Sequence, residues 1–379
     1  MSDVYDAVVV GAGPAGASAA HVLAEGGARV LLVEKASMPR YKPCGGALSL
    51  RSYEASPLVA PVTPLARVGR LVLTHRALRV ECPLPAPLSM VMRAHFDAYL
   101  TEHAIAAGAT LRDGSTLSML EPRGDHVRLT VGTDVVLARY VVGADGVNGV
   151  TGRLAGIAPA GDPAAALEVE LAVDDATNVR YATDALFDLS SLRGGYGWIF
   201  PKGDHLSVGV GAFDPRGRRT LKPALARLLA HPDLARGKQI LQRGHKVPLY
   251  HHRKARAAGR VVLAGDAASL VDPMTGEGIC YALASGRMAG QAVLDRLGGT
   301  ARSFAPYERA IASSVGIDLS YAWVVQTIAY RYPNLLLRHI GTHGSLRDLA
   351  VGAVGGTASY RQLAARLVKL GPTFLRGAL

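Results

Sequence analysis

The sequence predicts an α/β fold in which one nucleotide-binding domain is interrupted by a sheet domain. Three observations carry that expectation. The chain opens with a strand, a glycine-rich turn, a helix and a second strand; a stretch of strands and loops runs from about Leu167 to Val247; strand and helix character then return between Arg260 and Leu297. At 379 residues, 49% hydrophobic and 19% charged, the chain is long and apolar enough for two packed domains.

Asp3 to Val10 reads as a buried parallel strand, Ala15 to Glu25 as a helix and Ala28 to Val33 as the next strand, together a βαβ unit. A helix follows Arg93, where Phe96, Leu100 and Ala104 recur on one face. Apolar alternation predicts strands over Val127 to Val131 and Val135 to Val142, and the run Leu206 to Gly211 belongs to the intervening layer. A strand over Arg260 to Ala264 leads to a helix from about Gly276 to Leu297. The most apolar later stretch, Ile311 to Tyr330, contains Asp318 and Gln326 and reads as a buried or interfacial helix, not a membrane span. Asp3 and Asp6 stand where a signal peptide would need a basic region, so a cytoplasmic location is expected.

Lys and Arg number 42 against 30 Asp and Glu, a formal charge of +12, and the excess is unevenly placed. Residues 1–215 are net −4 and residues 216–379 net +16, with 13 basic residues and only Asp233 as an acid between Arg216 and Arg260. Such a patch suits nucleic acid, an anionic membrane surface or a phosphate-bearing substrate. Because 34 of the 42 basic residues are Arg, genome composition is a rival source of the charge. No nucleic-acid-binding motif accompanies the patch, so no nucleic-acid partner is expected. Cys44, Cys82 and Cys280 are odd in number, far apart and without a Cys-x-x-Cys pair, which excludes a disulfide framework and a thiolate zinc site. The pair His251-His252 has no partner at ligand spacing, and no metal is expected.

The strongest signal is Gly11-Ala12-Gly13-Pro14-Ala15-Gly16 between a strand and a helix, with Glu34 at the end of the next strand. The first two glycines permit a tight turn and close approach to a pyrophosphate, the third lets helix and strand pack, and the helix N-terminus supplies N–H donors. Glu34 is placed to accept hydrogen bonds from a ribose hydroxyl. The fingerprint alone does not choose NAD over FAD. Later, Gly265-Asp266 ends a strand and Pro273-Met274-Thr275-Gly276-Glu277-Gly278-Ile279 leads into a helix. An Asp there can bind a ribitol hydroxyl, and the glycines let a flavin ring reach the helix start, whose dipole favours negative charge on the reduced ring.

In this order the glycine fingerprint, Gly143-Ala144-Asp145-Gly146 and Gly265-Asp266 resemble the three signatures of FAD-dependent enzymes with the para-hydroxybenzoate hydroxylase fold. Pro39-Arg40-Tyr41-Lys42-Pro43-Cys44-Gly45-Gly46, Tyr196-Gly197-Trp198-Ile199-Phe200-Pro201-Lys202 and the Pro-x-Thr-Gly-Glu-Gly form of Pro273 to Gly278 resemble its geranylgeranyl reductase branch. The resemblance covers Val4 to Leu297, and the last 80 or so residues carry no matching motif. It implies a Rossmann-like FAD-binding domain (residues 1–70, 93–160 and 258–300) interrupted by a mixed β-sheet substrate domain (71–92 and 161–257), plus a C-terminal helical region (301–379). FAD is then expected against Gly11, Gly13, Pro14, Ala15, Gly16, Glu34, Lys35, Cys44, Gly45, Gly46, Arg93, Asp145, Gly265, Asp266, Pro273, Gly276, Gly278 and Ile279.

The implied activity is saturation of trisubstituted C=C bonds in a polyprenyl chain on a lipid, chlorophyll or quinone. Electrons would come from NADPH or NADH, which visits the flavin without a second glycine fingerprint of its own. Cys44, Tyr196 and Trp198 are the expected catalytic residues. Cys44 either tunes the flavin or helps deliver a proton, or is a small buried residue in a tight turn. Tyr196, Trp198 and Phe200 share one strand face, with Tyr196 and Trp198 assigned to the pocket. Two other readings are an aromatic monooxygenase or halogenase of the same fold and a non-catalytic prenyl-lipid carrier. Tyr196 and Phe200, in place of the first Trp and the Ile of a halogenase's Trp-x-Trp-x-Ile-Pro segment, oppose a halogenase, the Cys44-Gly45-Gly46 loop opposes an aromatic hydroxylase, and the intact Gly11, Gly13, Gly16, Glu34 and Asp266 oppose the carrier. For a lipid substrate without a membrane span, the basic patch and the apolar Ile311 to Ile340 region are expected to hold the tunnel mouth on an anionic inner membrane face.

Overall fold

β1 (Tyr5–Val10), α1 (Pro14–Glu25) and β2 (Val30–Val33) form the opening βαβ unit, in a computed structural model that describes residues 4–158, 161–252 and 255–369 and only the backbone of Pro215 and Arg216. Val30–Val33 is buried throughout, as an inner strand of a parallel sheet requires. Pro14 opens α1 because its fixed φ and missing N–H suit the first helical position.

The chain then crosses to a second sheet through β3 (Ala47–Leu48), α2 (Leu50–Ala55), β4 (Ala66–His75) and β5 (Leu78–Met90). The boundary expected at residue 70 falls inside β4, which pairs with β5 on both sides of that point and lies whole in the second sheet. α3 (Arg93–Ala106), β6 (Thr110–Arg112), β7 (Leu117–Arg123), β8 (His126–Val131), β9 (Asp134–Gly143) and α4 (Thr151–Leu154) return to the first. β10 (Ala164–Ala172), α5 (Asp175–Tyr181), β11 (Asp184–Asp188), β12 (Gly195–Pro201), β13 (Leu206–Ala212), α6 (Leu221–Leu229) and β14 (Lys238–Val247) complete the second.

β15 (Ala257–Ala258), β16 (Val261–Leu263) and α7 (Ile279–Leu297) close the first sheet, whose order is β15-β16-β9-β1-β2-β6, with the β7–β8 hairpin added beside β9. The order reverses at β1, so the crevice at the C-terminal ends of β1 and β9 is where ligands enter folds of this class. Residues 276–278, expected to begin the last helix, instead precede it without regular structure after a turn over 273–275, with Gly276 at φ +73°.

The second sheet runs β14-β10-β13-β12-β11-β4-β5-β3, antiparallel except for β11 beside β4. Every residue of β12 and β13 is buried, because both faces are covered. Ile199, Val208 and Val210 pack with Leu225 of α6, while Tyr196, Trp198 and Phe200 face away from them. α8 (Ala305–Ile311), a π-helical turn over Ala312–Gly316 and α9 (Ile317–Arg331) replace the single helix expected from Ile311. α10 (Pro333–Thr342) and α11 (Gly344–Gly355) lie on β5, and α12 (Tyr360–Lys369) packs on α9. Among the described residues no helix is long and apolar enough to cross a membrane.

Candidate active site

At the crevice, Gly11 has φ +101°, and a Cβ there would collide with the Ala144 carbonyl oxygen, so only glycine lets the turn lie against the end of β9. No side chain caps α1, which leaves its first N–H groups open to an anion. Two guanidiniums converge on the same point. Nη2 of Arg40 and of Arg93 lie 3.7 and 3.9 Å from where a Cβ on Gly13 would stand. Both lean on buried Asp97, Arg93 by two contacts of 2.8 Å and Arg40 by one of 2.9 Å. Arg40 also faces buried Glu34 at 3.5 Å, so two carboxylates fix both guanidiniums beside the open N–H groups of a helix N-terminus, the donor set of a pyrophosphate cradle. Glu34 is buried beside it, accepting the Ala12 N–H at 2.9 Å and the Ala36 N–H at 3.2 Å.

A cleft of roughly 1520 Å³, open mouth included, begins there and takes its lining from both sheets. Asp266 lies on it, with Lys42 Nζ 3.4 Å from its carboxylate. Burial works against its charge, but Lys42, His245 and Arg93 hold its pKa well below the usual carboxylate range. The turn before α7 is pinned by Asp272, which accepts from Met274 N–H at 2.7 Å, the Thr275 hydroxyl at 2.8 Å and the Tyr360 hydroxyl of α12 at 2.6 Å.

The aromatic wall faces this turn. A Cβ on Gly209 would collide with the Trp198 indole, so β13 is cut away to seat the ring, whose Nε1 donates to Ser207 at 3.1 Å. The Tyr196 hydroxyl donates to the Thr275 carbonyl, its ring stacks on Phe213 at 5.4 Å, and Phe187 stands edge-on to it at 5.0 Å. Gly45 lies flat on the Phe200 ring, and the buried Lys202 ammonium ties the loop down by donating to the carbonyls of Cys44 (3.3 Å) and Val91 (2.8 Å). Burial lowers the pKa of Lys202.

Behind Cys44, β10 presents two buried acids on one face. Glu168 accepts the Cys44 N–H at 3.2 Å and the Tyr41 hydroxyl at 2.8 Å, and Glu170 accepts the same hydroxyl at 3.2 Å. Burial, then the charge of Glu170, pushes Glu168 up to about 7.

A family profile described as an FAD binding domain matches residues 4–305. Geranylgeranyl diphosphate reductase of Rhodobacter capsulatus is 33% identical over 308 residues, 76% of this chain and 75% of its own. Digeranylgeranylglycerophospholipid reductase of Methanocaldococcus jannaschii is 31% identical over 305 residues, 77% of each chain. The chain belongs to the geranylgeranyl reductase family of FAD-binding proteins.

The chloroplastic geranylgeranyl diphosphate reductase of Arabidopsis thaliana is 32% identical over 323 residues, and this chain spans 65% of its length. The solved structure of a geranylgeranyl bacteriochlorophyll reductase-like protein from Thermoplasma acidophilum superposes with a TM-score of 0.83 over 98% of this chain and 100% of its own, at 24% identity. A flavin-dependent brominase shares the fold at a TM-score of 0.76, covering 99% of this chain and 100% of its own, at 17% identity.

Of the residues expected against FAD in this reductase-family chain, Gly13, Pro14, Ala15, Cys44, Gly45, Gly46, Arg93, Asp266, Gly276, Gly278 and Ile279 line the one cleft, with Tyr196 and Trp198. Gly11, Gly16, Glu34 and Gly265 shape the turns behind it. Three expected residues lie elsewhere. Lys35 is exposed, Pro273 is off the lining, and Asp145 turns its carboxylate to Val150 N–H (2.7 Å) and Thr151 N–H (2.9 Å), capping the start of α4. Phe200, read as core, lines the cleft as well. Sequence reading missed Arg40, Tyr41 and Lys202, which stand inside the recognised motifs, and Asp97, one helical turn after Arg93. It also missed Glu168 and Glu170, whose signal is two acids at period two inside an apolar strand.

Proposed function

We propose that the chain is an FAD-dependent reductase that saturates C=C bonds of a geranylgeranyl or other polyprenyl chain, carried by a lipid, chlorophyll or quinone, with NADPH or NADH as electron donor. One observation carries the reading. On the other side of Phe187, Tyr196 and Thr275, which wall both spaces, a second and apolar chamber lies between β4 and the C-terminal helices, lined by side chains such as Leu71, Leu73, Leu337, Ile340, Leu363 and Leu367. An apolar chamber behind an aromatic wall suits a branched hydrocarbon chain better than a compact polar ring.

The residues present fit FAD. The α1 N-terminus with Arg40 and Arg93 would hold the pyrophosphate, Glu34 the adenosine ribose, Asp266 the ribitol, and Gly276 to Ile279 the ring. Bound FAD, once reduced, supplies a hydride to one alkene carbon. The chain's own part is to hold the alkene still, exclude water and deliver a proton. Tyr196 and Trp198 wall the place where the bond must lie, and Cys44 stands at the loop opposite. Cys44→Ala and Cys44→Ser, compared for turnover at equal flavin content, separate a reacting thiol from a small residue in a turn.

The prediction is direct: dithionite-reduced protein given geranylgeranyl diphosphate, menaquinone or an aromatic acceptor yields prenyl products heavier by two hydrogens per bond in mass spectra. A product heavier by one oxygen sinks the reductase reading, and a colourless purified protein sinks every flavoenzyme reading. Ile317, Tyr321 and Val324 recur at helical spacing on α9 and are exposed, and Arg236, Lys238, Arg243 and Lys246 are exposed at and near β14. They support peripheral binding at the inner face of an anionic membrane from the cytoplasmic side. Arg253 and Lys254 of that patch lie outside the described residues, as does the side chain of Arg216. Co-sedimentation with anionic over zwitterionic vesicles at low salt is the expected result.

A further inference from the structure

Saturating an alkene consumes one proton for every hydride, and hydride attack on an isolated double bond builds strong negative charge on the second carbon unless that proton is at hand. Several acidic groups reach the cleft, and four are unsuited. Asp266 is held ionised by Lys42 and His245. The Tyr196 hydroxyl gives its proton to the Thr275 carbonyl. Glu277 is bound by the Ser49 hydroxyl at 2.5 Å and faces Arg51 at 3.7 Å. The Cys44 sulfur accepts the Gly46 N–H at 3.3 Å and has no hydrogen-bonded link to the surface among the described residues.

Resting on the prenyl-reductase reading, we propose that Glu168 is the acid that protonates the second alkene carbon, and that Tyr41, Glu170 and His205 return the proton to it from solvent. Glu168 lines the cleft and lies in register with Gly209 and Trp198 across three neighbouring strands, and the Trp198 indole fills the place of the missing side chain at 209, next to the acid in that row. Its Oε2 has no hydrogen-bond partner among the described residues. Its Oε1 takes the Tyr41 hydroxyl at 2.8 Å; that hydroxyl also reaches Glu170 Oε1 at 3.2 Å; Glu170 Oε2 is ion-paired with His205 Nε2 at 3.2 Å; and His205 Nδ1 meets Asp204, a side chain 92% exposed, at 2.6 Å. The path therefore runs from the cleft to water through groups that each hold and release a proton.

The balance closes. The hydride and the Glu168 proton form the two new C–H bonds, the π bond is lost, the two electrons come from reduced FAD, and Glu168 is left as carboxylate. A proton from water then enters through His205, which passes it to the Glu170 carboxylate; Glu170 hands it to the Tyr41 oxygen as the Tyr41 hydroxyl gives its own proton to Glu168 Oε1. Tyr41, Lys42 and Cys44 of the loop, Lys202 and His205 of the β12–β13 hairpin, and Arg243 and His245 of β14 surround the pair. Burial and the like charge of Glu170 keep Glu168 substantially protonated near neutrality, whereas the Glu170 carboxylate 3.2 Å away raises His205, so donor and supplier are loaded together.

The test has two readouts. Infrared difference spectra of the FAD-loaded protein follow carboxylic-acid C=O absorption against pH, and stopped-flow follows reoxidation of dithionite-reduced enzyme by geranylgeranyl diphosphate. Glu168→Gln is expected to remove a band that titrates near neutral pH and to slow reoxidation by about 10²-fold or more. Tyr41→Phe, informative if Glu168→Gln does not fold, is expected to move that band's midpoint to higher pH, since the phenol hydrogen bond favours the carboxylate. Reoxidation of Glu168→Gln within about threefold of wild type, a band that survives the substitution or vanishes in Glu277→Gln instead, or an unmoved midpoint in Tyr41→Phe overturns the assignment. Reduced wild-type protein that saturates no prenyl chain removes the underlying reading, and is distinguished from failure of the acid alone because only then are wild type and variant equally inert.

Discussion

Trp198 owes its position to an atom that is absent. Gly209, across the strand pair, has no side chain, and Gly209→Ala forces the indole to move or β13 to bend. Overpacking of this kind costs about 1–3 kcal/mol, so a lower melting temperature is expected. Turnover should fall more steeply than stability if, as proposed, the displaced ring walls the reacting bond. Glu168 gives a second residue-scale expectation. Its folded pKa, raised by burial and Glu170 to about 7, exceeds the value of a solvated carboxyl. Its contribution to stability is therefore fully present below the unfolded pKa, about 4.3, and is lost as pH rises through about 7. His205, raised by the Glu170 carboxylate, acts in the same direction. Thermal melts between those limits should fall with pH in wild type and flatten in Glu168→Gln; parallel slopes would contradict the assignment. Single residues whose role is steric exclusion, such as Gly11 and Gly16, were legible because their spacing encodes it. Asp97 and Glu168 were not, since their partners Arg40 and Tyr41 come from a loop whose path only the fold sets.

Among the elements, α1 and α7 cross at the site. A Cβ on Gly286 would collide with the Ala15 carbonyl oxygen, the second residue of α1. Gly286→Ala therefore pushes the two helices apart at the end that faces the pyrophosphate, and a loss of about 1–3 kcal/mol is expected. The fraction of protein purified with flavin, read from absorbance, should drop with it; full flavin content would show that α1 tolerates the shift. Strands and helices with a clean period were readable from residues alone, β9 and α3 among them. The boundary that the resemblance implied at residue 70 fell inside β4, whose continuous pairing with β5 only the sheet reveals. The π-helical turn before α9 had no sequence signal at all, as its register is fixed by packing and not by any residue type.

At the scale of the whole molecule, the cleft draws on the first sheet, the second sheet and, through Tyr360 on Asp272, the last helix. The C-terminal helices were expected only as a helical region. Their place as the chamber's roof depends on β4 and β5, a surface that no local pattern in 301–369 reveals. The central strand β9 carries a consequence in time. Val141 pairs with Val8 on one side and with Val261 on the other, so the sheet joins segments made early, midway and late in translation. Synthesis proceeds at about 5–20 residues per second, and the glycine turn must wait many seconds for the strand and helix that complete its surroundings. Flavin capture is thereby a late event, and pairings this remote in sequence form slowly. A ribosome-stalled chain ending at Val247 should hold no flavin, while one released past Leu297 should begin to colour.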